Sequence, residues 1–191
     1  MKVERVSYDV MTPSAARGLI EAIYWHPGLK WVIDRIYVLN PIRYVNIRRN
    51  EVKSRISADS VRSAMNGKKK ALYINTKDDI QQRAALILRD VRYVIEAHFV
   101  MTKAASPSDN EGKFADITRR RIENGQCYHQ PYFGCREFPA FFRPCCDQAI
   151  ETAYPKSCRE LGYMLYDLDY SDPNDIKPQF FRAVLIDGIL D

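Results

Sequence analysis

The 191-residue chain carries 29 Lys and Arg against 24 Asp and Glu, a net charge of +5 with histidine neutral; 46% of its residues are hydrophobic and 28% charged. These are the proportions of a soluble globular protein, and the length suits one large domain or two small ones burying roughly 70% of the unfolded surface. No run approaches the ~20 apolar residues that cross a bilayer, and the N-terminus lacks the apolar core of a signal peptide, so a membrane partner is excluded and a cytoplasmic protein is expected.

Cysteines 127, 135, 145, 146 and 158 make an odd count, with no Cys-x-x-Cys and no histidine at ligand spacing. Reduced or buried thiols fit better than disulfides or zinc, and neither metal nor cofactor is expected. The positive charge is concentrated. Residues 41–70 hold Arg43, Arg48, Arg49, Lys53, Arg55, Arg62, Lys68, Lys69 and Lys70 against Glu51 and Asp59, a local +7 that leaves the rest of the chain at −2. Such polarisation points to a polyanion, and its lack of a paired apolar helix face favours nucleic acid over a membrane surface.

In chain order, Val6, Tyr8 and Val10 alternate with Arg5, Ser7 and Asp9, predicting a strand over 3–11. Thr12-Pro13 opens a helix as N-cap and first turn, with Ala15, Ala16, Leu19, Ile20 and Ile23 as its apolar stripe. Pro27 ends it at His26. Tyr24 falls at the stripe's margin, with its ring half-buried and its hydroxyl directed outward. Strands follow over 30–40 and 42–49, separated by Pro41. Residues 51–70 are expected as a mobile basic excursion with a short helix and an Asn66-Gly67 turn, and Leu72–Ile74 as a strand. Apolar odd positions from Val91 to Met101 predict another strand, with His98 as a structural histidine.

Asp109 and Asn110 then cap a basic helix closed by Gly125. On it Lys113 and Arg120 share a face, flanked by Arg119 and Arg121. A strand is expected from Cys127 to Phe138, bearing Tyr128, His129, Gln130, Tyr132, Phe133 and Arg136. A cationic helix feeding an aromatic strand is a surface for single-stranded RNA, since phosphates pair with Lys and Arg while bases stack on aromatic planes. Beyond Pro144 come short strands and turns, broken at Gly162 and Asp172-Pro-Asn-Asp175, with a last strand over Phe180–Leu190. This order predicts an α+β, ferredoxin-like (RRM-like) domain over residues 1–142 and a small β-rich extension over 143–191.

Several segments are familiar together: Lys2-Val-Glu-Arg-Val-Ser-Tyr-Asp-Val-Met-Thr-Pro-Ser-Ala-Ala-Arg-Gly18, Ile23-Tyr-Trp-His-Pro27, Ile47-Arg-Arg-Asn-Glu51, Gly125-Gln-Cys-Tyr-His-Gln-Pro-Tyr-Phe-Gly134, Tyr166-Asp-Leu-Asp-Tyr-Ser-Asp-Pro173 and Phe180-Phe-Arg-Ala183. In that order they strongly resemble the type I-C CRISPR-associated pre-crRNA-processing endoribonucleases of the RAMP superfamily. The resemblance implies metal-independent cleavage of CRISPR repeat RNA, in which the ribose 2′-OH attacks the adjacent phosphate to leave a 2′,3′-cyclic phosphate and a 5′-OH. It also implies that the protein stays on the crRNA 5′ handle beside the other type I-C Cascade subunits. Members with assigned sites use a tyrosine of a Tyr-Trp-x-Pro segment and a Lys-His pair after Glu-Gly. The matching positions here are Tyr24, Lys113 and Phe114, the last of which cannot shuttle a proton. Members also carry a strand-forming segment ahead of Lys2, so either Val3–Met11 takes its place or the gene product begins upstream.

In-line attack needs a base for the 2′-OH, positive charge for the phosphorane and an acid for the leaving oxygen. Lys113 is a candidate for the charge and for the acid; Tyr24, with an ordinary pKa near ~10, is a poor base unless cations depress that value, and the alternative role for it is to orient the 2′-OH. His129 and His26 are then the candidate bases, the alternative being an enzyme that relies on positioning alone and is slower. Arg48, Arg49, Lys68, Lys69, Lys70, Arg119, Arg120, Arg121, Gln130 and Arg136 are the expected RNA contacts. Two other readings stand beside the nuclease: a non-catalytic crRNA-binding subunit, and a Cascade component that binds duplex DNA through residues 41–70.

Overall fold

The computed structural model describes residues 5–67, 72–145 and 149–191; Lys68, Lys69 and Lys70 of the basic patch lie outside them. The described residues form, in chain order, β1 (Arg5–Val6), α1 (Pro13–Ile23), β2 (Leu29–Val38), β3 (Tyr44–Val52), α2 (Ala58–Met65), β4 (Ile80–Leu88), β5 (Tyr93–Met101), α3 (Glu111–Glu123), β6 (Cys158–Asp169), β7 (Lys177–Ile186) and β8 (Ile189–Leu190). The architecture is mixed α+β with two sheets, ordered β1-β4-β3 and β5-β2-β8-β7-β6. The chain divides into two compact units, Met1–Ser7 with Arg43–Arg89 and Tyr8–Ile42 with Asp90–Asp191.

The larger unit is built on the five-stranded sheet. β2 and β5 pair antiparallel from Leu29↔Met101 to Val38↔Tyr93, with an irregularity between Ile33 and Arg35. β6 and β7 form a long hairpin closed by the Asp172 turn, where Asp175 N–H bonds the Asp172 carbonyl at 3.1 Å. Gly162 does not end a strand; it lies at a bulge inside β6. The last expected strand is split. Asp187 (φ 51°) and Gly188 (φ 78°) turn the chain between Ile186 and its partner Ile189, the two positive φ values of a type I′ hairpin. A Cβ on Gly188 would overlap the Thr152 side chain.

α1 begins where Thr12 accepts the Ala15 N–H on its hydroxyl at 3.2 Å. Its Ala16 enters a core of Val10, Met11, Ile36, Val38, Met164, Ala183, Leu185 and Leu190, all at or below 7% exposure. Arg17 on the same helix makes a bidentate pair with Asp167 of β6, Nη2 to Oδ1 at 2.9 Å and Nη1 to Oδ2. A second cluster joins Tyr24, Leu29, Trp31 and Phe114, with Ile20, Ala97, Phe99, Met101 and Ile117 packed against it. Trp31 meets Phe99 edge-on at 5.4 Å, and Phe99 meets Phe114 edge-on at 6.2 Å. Each such pair contributes about 0.5–1.5 kcal/mol beyond buried area.

In the smaller unit β3 and β4 pair antiparallel from Tyr44↔Leu88 to Val52↔Ile80, and β1 adds in parallel at Arg5↔Ala85 and Val6↔Leu86. Arg5 clasps Glu51 through Nη1 at 2.7 Å and Nη2 at 2.9 Å. The short helix expected after residue 51 is α2, capped by the Ser57 hydroxyl and without a buried residue.

Other expectations are corrected as well. The first strand spans only Arg5–Val6 among the described residues, because Tyr8 to Met11 leave the extended pairing and Val10 and Met11 enter the core. Leu72–Ile74 is not a strand; the strand of that region is β4, with its register set by β3. Residues 127–138 form turns, with a single bridge from Tyr132 to Pro139. Of the expected α+β, ferredoxin-like domain the mixed α+β class is observed, with β2 and β3 in different sheets and β6, β7 and β8 in the sheet of β2 and β5.

Candidate functional site

The end of α1 is finished by groups from elsewhere in the chain. Helix C-termini leave carbonyls without intrahelical donors. Here the Ala22 carbonyl accepts Tyr128 N–H at 2.9 Å and His129 N–H at 3.2 Å. The Ile23 carbonyl accepts Arg121 Nη1 at 2.8 Å, and the Tyr24 carbonyl accepts Trp31 Nε1 at 2.9 Å. Tyr24 is thereby fixed as the C-cap residue, 7% exposed. The Arg121 guanidinium lies 5.0 Å from the centre of its ring, and the Phe114 ring is 6.2 Å away, tilted by 53°.

α3 supplies the opposing groups. Asn110 accepts the Lys113 N–H on its side-chain oxygen at 2.8 Å, which starts the helix. The Lys113 ammonium donates to Asp109 Oδ1 at 2.7 Å; the Asp109 side chain is 2% exposed and that of Lys113 44%. The Lys113 hydrogen bond, backed by Ser106 N–H, holds the Asp109 carboxyl down to about 2. Burial pushes the Tyr24 phenol above its ordinary value; the Arg121 and Lys113 charges pull it only part of the way back, and Asp109 adds to the rise. Tyr24, Lys113, Arg121 and Asp109 thus share one electrostatic neighbourhood. Tyr24 in it is a protonated donor at neutral pH, not a base.

Phe114 is fully buried, its ring 4.9 Å from His26. His26 sits in the turn after α1, where its Nδ1 accepts the Gly28 N–H at 3.0 Å. That bond occupies the lone pair a base at Nδ1 would need. The other candidate base, His129, is exposed, its ring 5.7 Å from Tyr128 and 6.4 Å from Tyr132.

The remaining expected contacts divide. Arg119, Arg120 and Arg136 are exposed, with Arg119 paired to Asp116 at 2.8 Å. Arg121 is committed to Ile23 and Tyr24, and Gln130 donates its amide to the Ala140 carbonyl at 2.7 Å, so both act as scaffold. Arg48 is exposed and Arg49 half-buried on β3, in the smaller unit. Asp109, expected only as a cap of α3, is also the partner of the Lys113 ammonium, and their spacing of four is a signal for an ion pair. Among the described residues, no three His, Cys, Asp or Glu side chains cluster as for a metal ion, and no helix is long and apolar enough to cross a membrane.

The fold is shared with solved structures. One described as a CRISPR-associated protein superposes at a TM-score of 0.71, covering 97% of this chain and 81% of its own at 22% identity. A functionally uncharacterized Streptococcus mutans protein superposes at 0.70, covering 96% and 80% at 21% identity. The family model described as CRISPR-associated protein (Cas_Cas5) matches residues 1–191, which sets the class as CRISPR-associated. A Mannheimia succiniciproducens protein named CRISPR pre-crRNA endoribonuclease Cas5d is 50% identical over all of this chain and 86% of its own length. One of the same name from Thermus thermophilus is 40% identical over 95% of this chain and 72% of its own. The chain belongs to the Cas5d family of type I-C CRISPR-associated proteins.

Proposed function

We propose that this protein is a metal-independent endoribonuclease that cuts CRISPR repeat RNA during pre-crRNA processing and remains on the 5′ handle within a type I-C Cascade complex. The observation that carries this reading is the shared neighbourhood of Tyr24, Lys113 and Arg121, residues separated by up to 97 positions in sequence. The relatives' names support the substrate class.

In this mechanism the 2′-oxygen attacks the adjacent phosphorus, the P–O5′ bond breaks, and a 2′,3′-cyclic phosphate and a 5′-OH result. Lys113 exchanges its Asp109 partner for the phosphoryl oxygens and balances the charge that grows on them. Tyr24, kept protonated, hydrogen-bonds the 2′-oxygen or the phosphate and aligns the attack. Arg121 holds the Tyr24 ring and adds positive potential. Arg119, Arg120 and Arg136 engage phosphates of the RNA, and Arg48 and Arg49 are separate RNA contacts on the smaller unit. Lys113→Ala is expected to abolish cleavage of the cognate repeat hairpin in EDTA while RNA binding persists. Cleavage by that variant at the wild-type rate removes Lys113 from the mechanism.

A second reading, a crRNA-holding subunit without catalysis, is favoured by the complete burial of the Phe114 ring where assigned members carry histidine. The same assay separates the two, since that reading requires the wild-type chain to bind the hairpin and leave it intact.

A further inference from the structure

The turn between α1 and β2 holds one imidazole in one chemical form. Leu29 N–H bonds the His26 carbonyl at 3.1 Å, Thr102 N–H bonds the Gly28 carbonyl at 2.9 Å, and the Thr102 hydroxyl donates to the Pro27 carbonyl at 2.5 Å, so the turn is tied at both ends. Within it Gly28 N–H donates to His26 Nδ1 at 3.0 Å. A ring nitrogen that accepts a hydrogen bond carries a lone pair, so the neutral ring must bear its proton on Nε2. Phe114 packs against the ring at 4.9 Å, and Tyr24, two residues earlier, packs against the same Phe114 at 6.2 Å. His26 is half-buried, and its Nε2 makes no hydrogen bond within the described residues. Gly28, two residues after His26, admits no side chain freely. A Cβ on Gly28 would stand 2.9 Å from the Ala105 Cα and 3.0 Å from His26 Nδ1.

We propose that His26 is a catalytic hydrogen-bond donor, not a base: its Nε2–H binds a non-bridging oxygen of the scissile phosphate and stabilises the charge that grows there. The inference rests on the endoribonuclease reading and adds the state in which this imidazole works. In the step, the O2′–P bond forms and the P–O5′ bond breaks. The 2′-hydroxyl proton passes to solvent water and the 5′-oxygen takes a proton from solvent water. His26 keeps its own proton throughout, so Gly28 N–H never faces a protonated Nδ1.

The test is single-turnover cleavage of the repeat hairpin in EDTA, with RNA affinity and thermal melting of every variant measured alongside. His26→Ala is expected to slow cleavage by about 10²–10³-fold, the size of losing one preorganised donor, with affinity little changed. His26→Gln places an amide N–H near the Nε2 position but cannot take up a proton, and it is expected to recover most of that loss. Gly28→Ala retains the imidazole while pushing the ring from its seat, and it should also slow cleavage.

A His26→Gln variant as slow as His26→Ala means that proton transfer is required and overturns the donor assignment. A His26→Ala variant at the wild-type rate removes His26 altogether. Gly28→Ala at the wild-type rate shows that the locked turn is irrelevant and also overturns the inference. A wild-type chain that binds the hairpin and never cuts it overturns the endoribonuclease reading, and this inference falls with it. Cleavage by wild type with His26→Gln inactive overturns this inference alone.

Discussion

Phe114 explains at the residue scale why a phenyl ring stands next to the lysine. The ring has no solvent exposure and touches Tyr24, His26 and Phe99, so the position belongs to the core that shapes the site. Phe114→Ala leaves a cavity among fixed neighbours and is expected to cost about 3–5 kcal/mol, a fall of roughly 6–20 °C in Tm by calorimetry. A melting temperature within a degree of wild type would show that the cluster collapses into the space.

At the scale of the element, the first turn of α3 is a clasp. Asn110 caps the helix, and Asp109, one residue earlier, reaches Lys113 one turn later, so the ammonium is held at the helix start by an enclosed carboxylate. The Asp109 carboxyl titrates at about 2 in the folded protein, below the ~3.9 of an unfolded chain. A depressed acid stabilises the fold fully above its unfolded value and loses that contribution as pH falls through the folded one. Asp109→Asn is thus expected to be less stable than wild type above about pH 4, with the difference closing toward pH 2. Urea midpoints followed by tryptophan fluorescence across that range measure it. A difference that stays constant with pH would assign the loss to something other than the carboxylate charge.

For the whole molecule, charge governs the expected partner. Positive side chains dominate residues 41–70, while the segment after Cys158 is acidic. Binding to repeat RNA should weaken linearly in log affinity against log salt, with each phosphate contact adding about 0.7 to the slope on single strands and about 0.9 on a duplex stem. Arg48→Ala, exposed on β3, is expected to lower the slope by about one such step and weaken binding uniformly across RNA sequences. An unchanged slope would leave Arg48 outside the RNA path.

The sequence by itself determined what local physics controls. The Thr12-Pro13 and Asn110 caps, the alternation of β5, the amphipathic stripe of α1 and the turn at Asp172 each depend on neighbours a few residues away, and the structure has them. The family was legible as well, because its motifs recur in order along the chain. Other features were hidden. In β4, Gln81-Gln82-Arg83 and the small Ala84-Ala85 blur the alternation, so only pairing with β3 makes the segment a strand. Residues 127–138 carry aromatic side chains suited to a strand, yet the Tyr128 and His129 N–H groups are taken by the end of α1. That His26 Nδ1 accepts the Gly28 N–H, that Arg121 is spent on Tyr24, and that the strands divide between two sheets were decided only by the tertiary structure. Each depends on hydrogen bonds or ring contacts between residues distant in sequence, or on a side chain's own orientation, none of which a local pattern encodes.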